Sequence, residues 1–113
     1  MPVGVTFTKS LQKNKKLKAT FVGSKGDAYV VNFGDSRYDD YTTHKDPTRR
    51  ENYIERHGGI LGKSGVFSTV TESRKEDWTT PFTAASLSRW VLWGPSTSLE
   101  KNIRDFKRRF NLK

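Results

Sequence analysis

A chain of 113 residues is long enough for one domain, residues 1–113. Its 21 lysines and arginines exceed its 12 aspartates and glutamates, which gives a formal charge of +9. This charge favours nucleic acid, an acidic protein surface or an anionic membrane face as partner. No apolar run approaches the ~18 residues that a membrane span needs, and the N-terminus lacks a signal-type apolar block, so we expect no transmembrane segment and a protein made as a soluble chain inside the cell. The absence of cysteine excludes disulfides, thiolate zinc sites and cysteine nucleophiles.

The first 18 residues, 1–18, form a basic N-terminal arm without an acidic residue. Within it Val3, Val5 and Phe7 alternate with other residues at the period of a half-buried strand. This pattern predicts a short strand or an extended arm followed by a basic loop, with a disordered, solvated tail as the alternative. The lysines of the arm are Lys9, Lys13, Lys15, Lys16 and Lys18.

Two runs rich in valine and aromatic residues follow, 17–22 and 28–33, separated by the turn-forming residues 23–27. Their spacing predicts a β-hairpin with a loop of about five residues. Because side chains alternate between the two faces of a strand, each run can direct one set of side chains at a common core. These sets are Leu17, Ala19 and Phe21 in the first strand and Tyr29, Val31 and Phe33 in the second.

Helix signals dominate the rest of the chain. Asp46 followed by Pro47 predicts a helix that runs to about His57, because aspartate caps free amides and proline suits the first helical position. Thr80 followed by Pro81 predicts a second helix, which runs to about Trp93 and ends in a wholly apolar turn. A turn of that kind is either buried or in contact with another molecule.

The last predicted helix is capped by Thr97 or Ser98 and is amphipathic. Its apolar stripe is Leu99, Ile103, Phe106 and Phe110, at helical spacing. Between the first two helices, residues 58–77 are rich in glycine, contain a strand-like run at 66–70, and read as a surface insertion. The predicted fold class is therefore α+β, with a small antiparallel sheet packed against about three α-helices and with extended basic termini.

Candidate catalytic chemistry is confined to His44 and His57, with Asp39, Asp40 and Asp46 near them in the sequence. Their spacing matches no metal or nuclease motif, and the aspartates suit a cap and a turn. We therefore expect a protein that is not an enzyme, with no catalytic residue, metal, cofactor or small-molecule substrate. A small nuclease that uses His44 or His57 is the third functional hypothesis.

Cationic side chains are the better candidates for function, because arginine and lysine can pair with carboxylates or phosphates. Trp90 and Trp93 are expected to anchor the core or an interface. The candidate partner-binding or nucleic-acid-binding residues are Arg49, Arg50, Arg56, Arg89, Arg104, Lys107, Arg108 and Arg109.

An ordered series of short motifs resembles a family of small basic proteins that large double-stranded DNA viruses of algae and protists encode, a family without an assigned activity. The resemblance covers about residues 28–110. It departs from the family pattern where residues 58–73 look like an insertion and where alanine stands in a region that often contains glycine. The motifs are Phe33-Gly34, Asp40-Tyr41-Thr42-Thr43-His44-Lys45-Asp46, Arg49-Arg50, Tyr53-Ile54, Arg56-His57, Ser88-Arg89-Trp90 and Leu92-Trp93.

This resemblance implies a virus-encoded protein. Together with the basic surface it leads to the hypothesis of a virion structural protein, a minor capsid or cement protein that bridges major capsid units from the inner face of the shell. Its expected partners are the major capsid protein and other minor capsid proteins, with packaged DNA as a further candidate, and its expected location is the virion. The alternative is a basic DNA-binding or genome-packaging-associated viral protein.

Overall fold

The computed structural model describes residues 2–59 and 71–113 and has the predicted α+β architecture. Its strands form one three-stranded antiparallel sheet in the order β1-β2-β3. No helix in the described ranges is long and apolar enough to cross a membrane. The elements are β1 (Pro2–Lys9), β2 (Lys15–Gly23), β3 (Ala28–Asp35), α1 (Tyr41–His44), α2 (Pro47–Arg56), α3 (Ala84–Leu87) with a π-helical turn that continues it (Ser88–Leu92), and α4 (Leu99–Arg109).

The predicted hairpin is β2 and β3, and its register places the two expected sets of side chains opposite each other. Leu17 lies opposite Phe33, and Phe21 lies opposite Tyr29. Ala19, Phe21 and Phe33 are buried, as the alternation predicts. Tyr29 is the exception at 55% exposed; it lies near the start of β3, and its ring contacts Phe21 and Phe82 at centroid distances of more than 6 Å.

The basic arm predicted for residues 1–18 is laid into the sheet. Pro2–Lys9 is β1, paired with β2, and residues 10–14 form the turn between these strands. On the outer edge of β1 the Lys113 amide donates to the Val3 carbonyl (2.9 Å), and the Val5 amide donates to the Lys113 carbonyl (3.0 Å). The N-terminal segment is therefore extended, as expected, and is held on both edges.

The core lies between one face of the sheet and the helices. Phe7 contacts Phe33 and Phe106 edge-on, at centroid distances of 6.2 and 5.9 Å, and thus joins the sheet to α4. Phe82, just before α3, packs on Phe21 at 5.2 Å. The apolar stripe predicted for α4 is confirmed, since Phe106 is buried and Leu99, Ile103 and Phe110 pack against the core.

The first residue of α2 and of α3 directly follows an N-terminal capping residue. The Asp46 carboxylate accepts from the amides of Thr48 and Arg49, with Pro47 in the first turn, as predicted for α2. The predicted start at Thr80-Pro81 is wrong by about three residues. Asp77 accepts from the hydroxyls of Thr79 and Thr80 and holds a turn there, so the helix begins only at Ala84, where Thr83 caps the Ser86 amide.

The expected surface insertion, residues 58–77, can be followed only at its ends. Gly59 forms an isolated antiparallel bridge with Ser73, and the Arg74 amide donates to the Gly58 carbonyl (2.8 Å). The strand-like run at 66–70 lies outside the described residues.

Candidate functional site

Two of the predicted binding cations, Arg50 and Arg89, are buried. Arg50 is 5% exposed, and its Nε donates to the carbonyls of Trp93 (3.2 Å) and Gly94 (2.8 Å). Arg89 is fully buried, and its Nη1 donates to the same Trp93 carbonyl (2.9 Å). Both guanidinium groups thus bind the carbonyl end of the α3 helix, where the helix dipole favours positive charge. Both arginines were predicted to contact a partner, and the structure places them in the interior instead.

Aromatic rings help these arginines to stay charged inside the protein. The Arg89 guanidinium lies over the rings of Trp90 (4.4 Å) and Trp78 (5.2 Å), and the Arg50 guanidinium lies over Tyr41 (5.5 Å). Burial, with Arg50 as a second cause, lowers the pKa of Arg89 to about 9, so the group remains protonated at neutral pH. Burial also lowers the pKa of Arg50.

Both predicted tryptophan anchors contribute to the core. Trp90 is 5% exposed, its Nε1 donates to the Trp78 carbonyl (2.9 Å), and the Arg109 guanidinium covers its ring at 3.7 Å. Trp93 is half-buried and stacks on Tyr53 with the planes nearly parallel (4.3 Å, 4°). Trp78 was not predicted as an anchor, yet it is 1% exposed and donates to Glu76 (2.9 Å). A tryptophan in an otherwise polar segment was the available signal.

Residues 38–40 and several residues of 49–57 form one wall of a cleft of about 1110 Å³. The cleft lies between α2, α3 and the adjoining end of the β2–β3 hairpin. Three stacked rings lie along this wall, and a fourth ring, that of His44, makes a tilted contact with the last of them. His57 lies on Tyr53 (4.1 Å), Tyr53 on Trp93 (4.3 Å), and Trp93 against His44 (5.2 Å). Both faces of Tyr53 are therefore covered, so neither is available to stack on a base or other planar ligand.

The histidines have structural contacts. His44 Nδ1 accepts from the Asp46 amide (2.9 Å), while desolvation, followed by the charge of Arg49, lowers the pKa of His44 and favours its neutral form. His57 Nδ1 lies 2.8 Å from a Glu76 oxygen, and the other Glu76 oxygen accepts from Trp78. Each ring is held by its neighbours.

The acidic residues next to them are also engaged in local structure. Asp40 is buried, caps the Thr42 amide at the start of α1, and pairs with Lys16 at 2.5 Å. Asp46 caps α2, as predicted, and Asp39 is exposed. Within the described ranges no three histidine or acidic side chains are grouped so that they could hold a metal ion.

The remaining predicted cations lie at the surface in two groups. Arg49 and Arg56 of α2 line the cleft, together with Lys15 and Lys16 of β2. On α4, Arg104 and Arg108 are exposed and share one side with exposed Lys101; these three residues are called the α4 ridge. Lys107 is half-buried, and Arg109 is exposed in part but lies over Trp90.

The α4 ridge is available for binding. Arg108 pairs with Asp105 at 3.8 Å, but the arginine side chain is 81% exposed, so the pair is weak. The opposite side of the same helix carries Phe106 into the core, which fixes the ridge in space. Of the eight predicted cations, the structure therefore places two in the interior, two at the cleft and two on the α4 ridge, and the other two are the half-buried Lys107 and Arg109, which lies over Trp90.

Comparison with known proteins gives one match. A model described as a family of unknown function, DUF5754, matches residues 5–57, which is just under half of the chain and runs from β1 to the end of α2. No curated protein matches the chain, and no solved structure does.

Proposed function

We propose that this protein is a non-catalytic virion component, a minor capsid or cement protein that bridges major capsid units from the inner face of the shell. The observation that supports this proposal best is the α4 ridge, three exposed cations on a helix whose other side is locked into the core. Because the helix that carries these cations is already held by the core, its backbone does not have to become ordered when an acidic surface binds.

The geometry of the ridge matches extended anionic surfaces. From Lys101 to Arg108 the helix rises by about 10 Å at ~1.5 Å per residue, with Arg104 between them. Arginine can engage a carboxylate through two parallel hydrogen bonds, which gives orientation as well as attraction. Arg49 and Arg56, on a different helix, provide a second attachment point. Two weak sites on one rigid domain strengthen each other when both are occupied.

The state of the histidines and acids supports a binding role over catalysis. His44 is held by the Asp46 amide, and Asp40 and Asp46 cap helices. Replacing His57 with glutamine tests the nuclease hypothesis. We expect no metal-dependent cleavage of DNA by the wild-type protein; cleavage that is lost in His57→Gln would contradict the non-catalytic proposal.

The decisive experiment asks whether the protein remains in purified, nuclease-treated particles at a defined copy number, and beside which protein it can be cross-linked. Retention together with cross-links from α4 to a capsid protein is the expected result. A protein that is absent from mature particles would end the capsid proposal. In the variant in which Lys101, Arg104 and Arg108 are all replaced by glutamine, incorporation should fall while the thermal midpoint stays that of the wild type.

DNA binding or genome packaging is the second candidate, because the α4 ridge can equally neutralise phosphates. Each phosphate contact contributes about −0.9 to the slope of log K against log salt. If the three ridge residues all contact phosphates, the triple glutamine variant should reduce the magnitude of that slope by about 2.7. Tight binding with this salt dependence would favour the packaging role, whereas weak binding with a shallow slope would count against it.

A further inference from the structure

The turn between β1 and β2, residues 10–14, presents an aliphatic side chain to solvent. Leu11 is 94% exposed, more than any other large apolar residue in the described ranges. Single apolar residues are common on protein surfaces, so the role of Leu11 has to be argued from the residues around it. The second most exposed, Tyr38 at 68%, follows the end of β3.

Hydrogen bonds fix the orientation of this turn. Ser10 is buried; its hydroxyl donates to the Asn32 side-chain oxygen (2.7 Å) and accepts from the Gln12 amide (3.1 Å). The Lys15 amide donates to the Gln12 carbonyl (3.2 Å), and Asn14 adopts a positive φ of 64°, which asparagine tolerates well. Leu11 is therefore presented by a closed turn that is tied to β3.

The turn that carries Tyr38 lies at the same end of the sheet. The Ser36 amide donates to the Asn14 carbonyl (3.1 Å), and this bond joins the two turns directly. The Tyr38 amide donates to the Asp35 carbonyl (3.2 Å), and the Arg37 guanidinium lies 5.9 Å from the Tyr38 ring. We call this end of the sheet, with Lys9, Leu11, Lys13, Lys15 and Tyr38, the sheet tip.

The sheet tip is positively charged. Lys9, Lys13 and Lys15 are exposed. Three carboxylates lie nearby, and two of them are paired: Asp35 with Arg37 through bonds of 3.0 and 2.9 Å, and Asp40 with Lys16 at 2.5 Å. Asp39 is the remaining exposed acid there. Three exposed lysines thus outweigh one uncompensated carboxylate.

We propose that the sheet tip docks on an anionic lipid bilayer. Leu11 enters the acyl region, Tyr38 lies at headgroup level, and the lysines contact the lipid phosphates. An aliphatic side chain gains free energy when it leaves water for acyl chains, tyrosine is favoured at the membrane interface, and basic residues are attracted to anionic leaflets. A nucleic-acid surface would use the lysines but would give the fully exposed leucine no partner. This inference is independent of the role proposed for α4.

Flotation with vesicles tests the proposal on the full chain. Vesicles of phosphatidylcholine with a minor fraction of phosphatidylserine should bind the protein, and phosphatidylcholine alone should bind it much less. Leu11→Asn should weaken binding to the anionic vesicles by about tenfold, given the free energy of burying a leucine side chain. Replacing Lys9, Lys13 and Lys15 together by glutamine should weaken it by about 100-fold, at roughly fivefold per lysine.

Matched variants separate docking by the tip from general attraction. The control for the lysine variant has glutamine at all three positions of the α4 ridge, which removes the same amount of positive charge at a different place. The control for Leu11→Asn is Val30→Asn, which removes an apolar side chain that is 49% exposed on the sheet. Both should bind vesicles nearly as the wild type does. If the ridge variant loses as much affinity as the lysine variant, or if Leu11→Asn binds unchanged, adsorption is by charge alone and the proposal is wrong.

A fluorescent probe tests insertion without relying on affinity. The chain has no cysteine, so Leu11→Cys and Lys101→Cys each give one site for an environment-sensitive dye. The dye at position 11 should become brighter and blue-shifted on anionic vesicles, and the dye at position 101 should not. No change at position 11 overturns the proposal. The proposal is also overturned if the lysine variant loses binding to a DNA duplex while its vesicle binding is unchanged, because the sheet tip would then bind nucleic acid.

Discussion

Asn102 is a polar residue on α4 that is fully buried, and we predict that Asn102→Leu destabilises the protein strongly. Its Nδ2 donates to the carbonyls of Val91 (3.0 Å) and Ser96 (2.8 Å), and its Oδ1 accepts from the Ser96 amide (3.0 Å). One side chain thus satisfies three backbone groups in and after the π-helical segment. Leucine has a similar size and can satisfy none of them.

The expected loss can be estimated from these three bonds. Each buried backbone group that loses its partner costs about 1–3 kcal/mol, and the new leucine returns about 1.5–3 kcal/mol by burial, so we expect a net destabilisation of about 3 kcal/mol. This is a large share of the ~5–15 kcal/mol by which domains are typically stable.

Urea unfolding monitored by tryptophan fluorescence measures this difference. The midpoint should fall while the slope stays constant, since both proteins expose similar surface on unfolding. Asn52→Leu is the matched control, because Asn52 is exposed on α2, and a surface change of this kind should stay within about 0.5 kcal/mol. If Asn102→Leu lies within about 1 kcal/mol of the wild type, the turn does not depend on the buried amide and the prediction is wrong.

Gly94→Ala should destabilise the protein by about 2 kcal/mol in the same urea assay, because an added Cβ would clash with the Trp90 carbonyl oxygen. A wild-type midpoint would show that the helix end can shift. The pKa of Asp35 is lowered from 3.8 to about 2 by its side-chain hydrogen bond with Arg37. The stabilising contribution of this pair is therefore present above pH 4 and is lost as the pH falls towards 2. NMR titration should show the Asp35 midpoint near 2, and Arg37→Gln should move that midpoint back up. Arg89→Gln should lower the thermal midpoint with little effect on binding to an anionic partner, because Arg89 is buried. Arg104→Gln should weaken that binding and leave the thermal midpoint unchanged, because Arg104 is exposed. The opposite pattern would show that Arg89 contacts the partner.

Alternation and capping made much of the fold predictable. The β2–β3 register follows from Leu17, Ala19 and Phe21, because a one-residue slip would expose all three. Asp46 and Ser98 act as the caps that their positions predict. The start of α3 was mispredicted because a threonine before proline is also a turn former, and Asp77 supplied the competing hydrogen bonds.

The cations were harder to assign, because charge alone does not show on which side of a helix a residue lies. Arg50 stands three and four residues before Tyr53 and Ile54, at the spacing of the buried side of α2, so helical periodicity was the signal that would have placed it inside. Arg89 lies in a segment where Leu87, Trp90 and Val91 are all buried. Its side chain donates to the Trp93 carbonyl just beyond the far end of that segment, a contact that residue type alone does not reveal.

The π-helical turn at Ser88–Leu92 is buried at four of its five residues. The Trp93 amide donates to the Ser88 carbonyl five residues back (2.9 Å), so this turn holds one residue more than an α-helical turn. In an α-helix each residue advances by about 100°. Deleting one residue inside the turn would leave the Trp93 amide four residues from Ser88, the α-helical spacing, so the same hydrogen bond could form and Trp93 would keep its place on Tyr53. The side chains between them, Arg89 and Trp90 among them, would instead be turned away from their buried positions. A one-residue deletion should therefore be more damaging than most substitutions within the turn, although Trp93 stays in place.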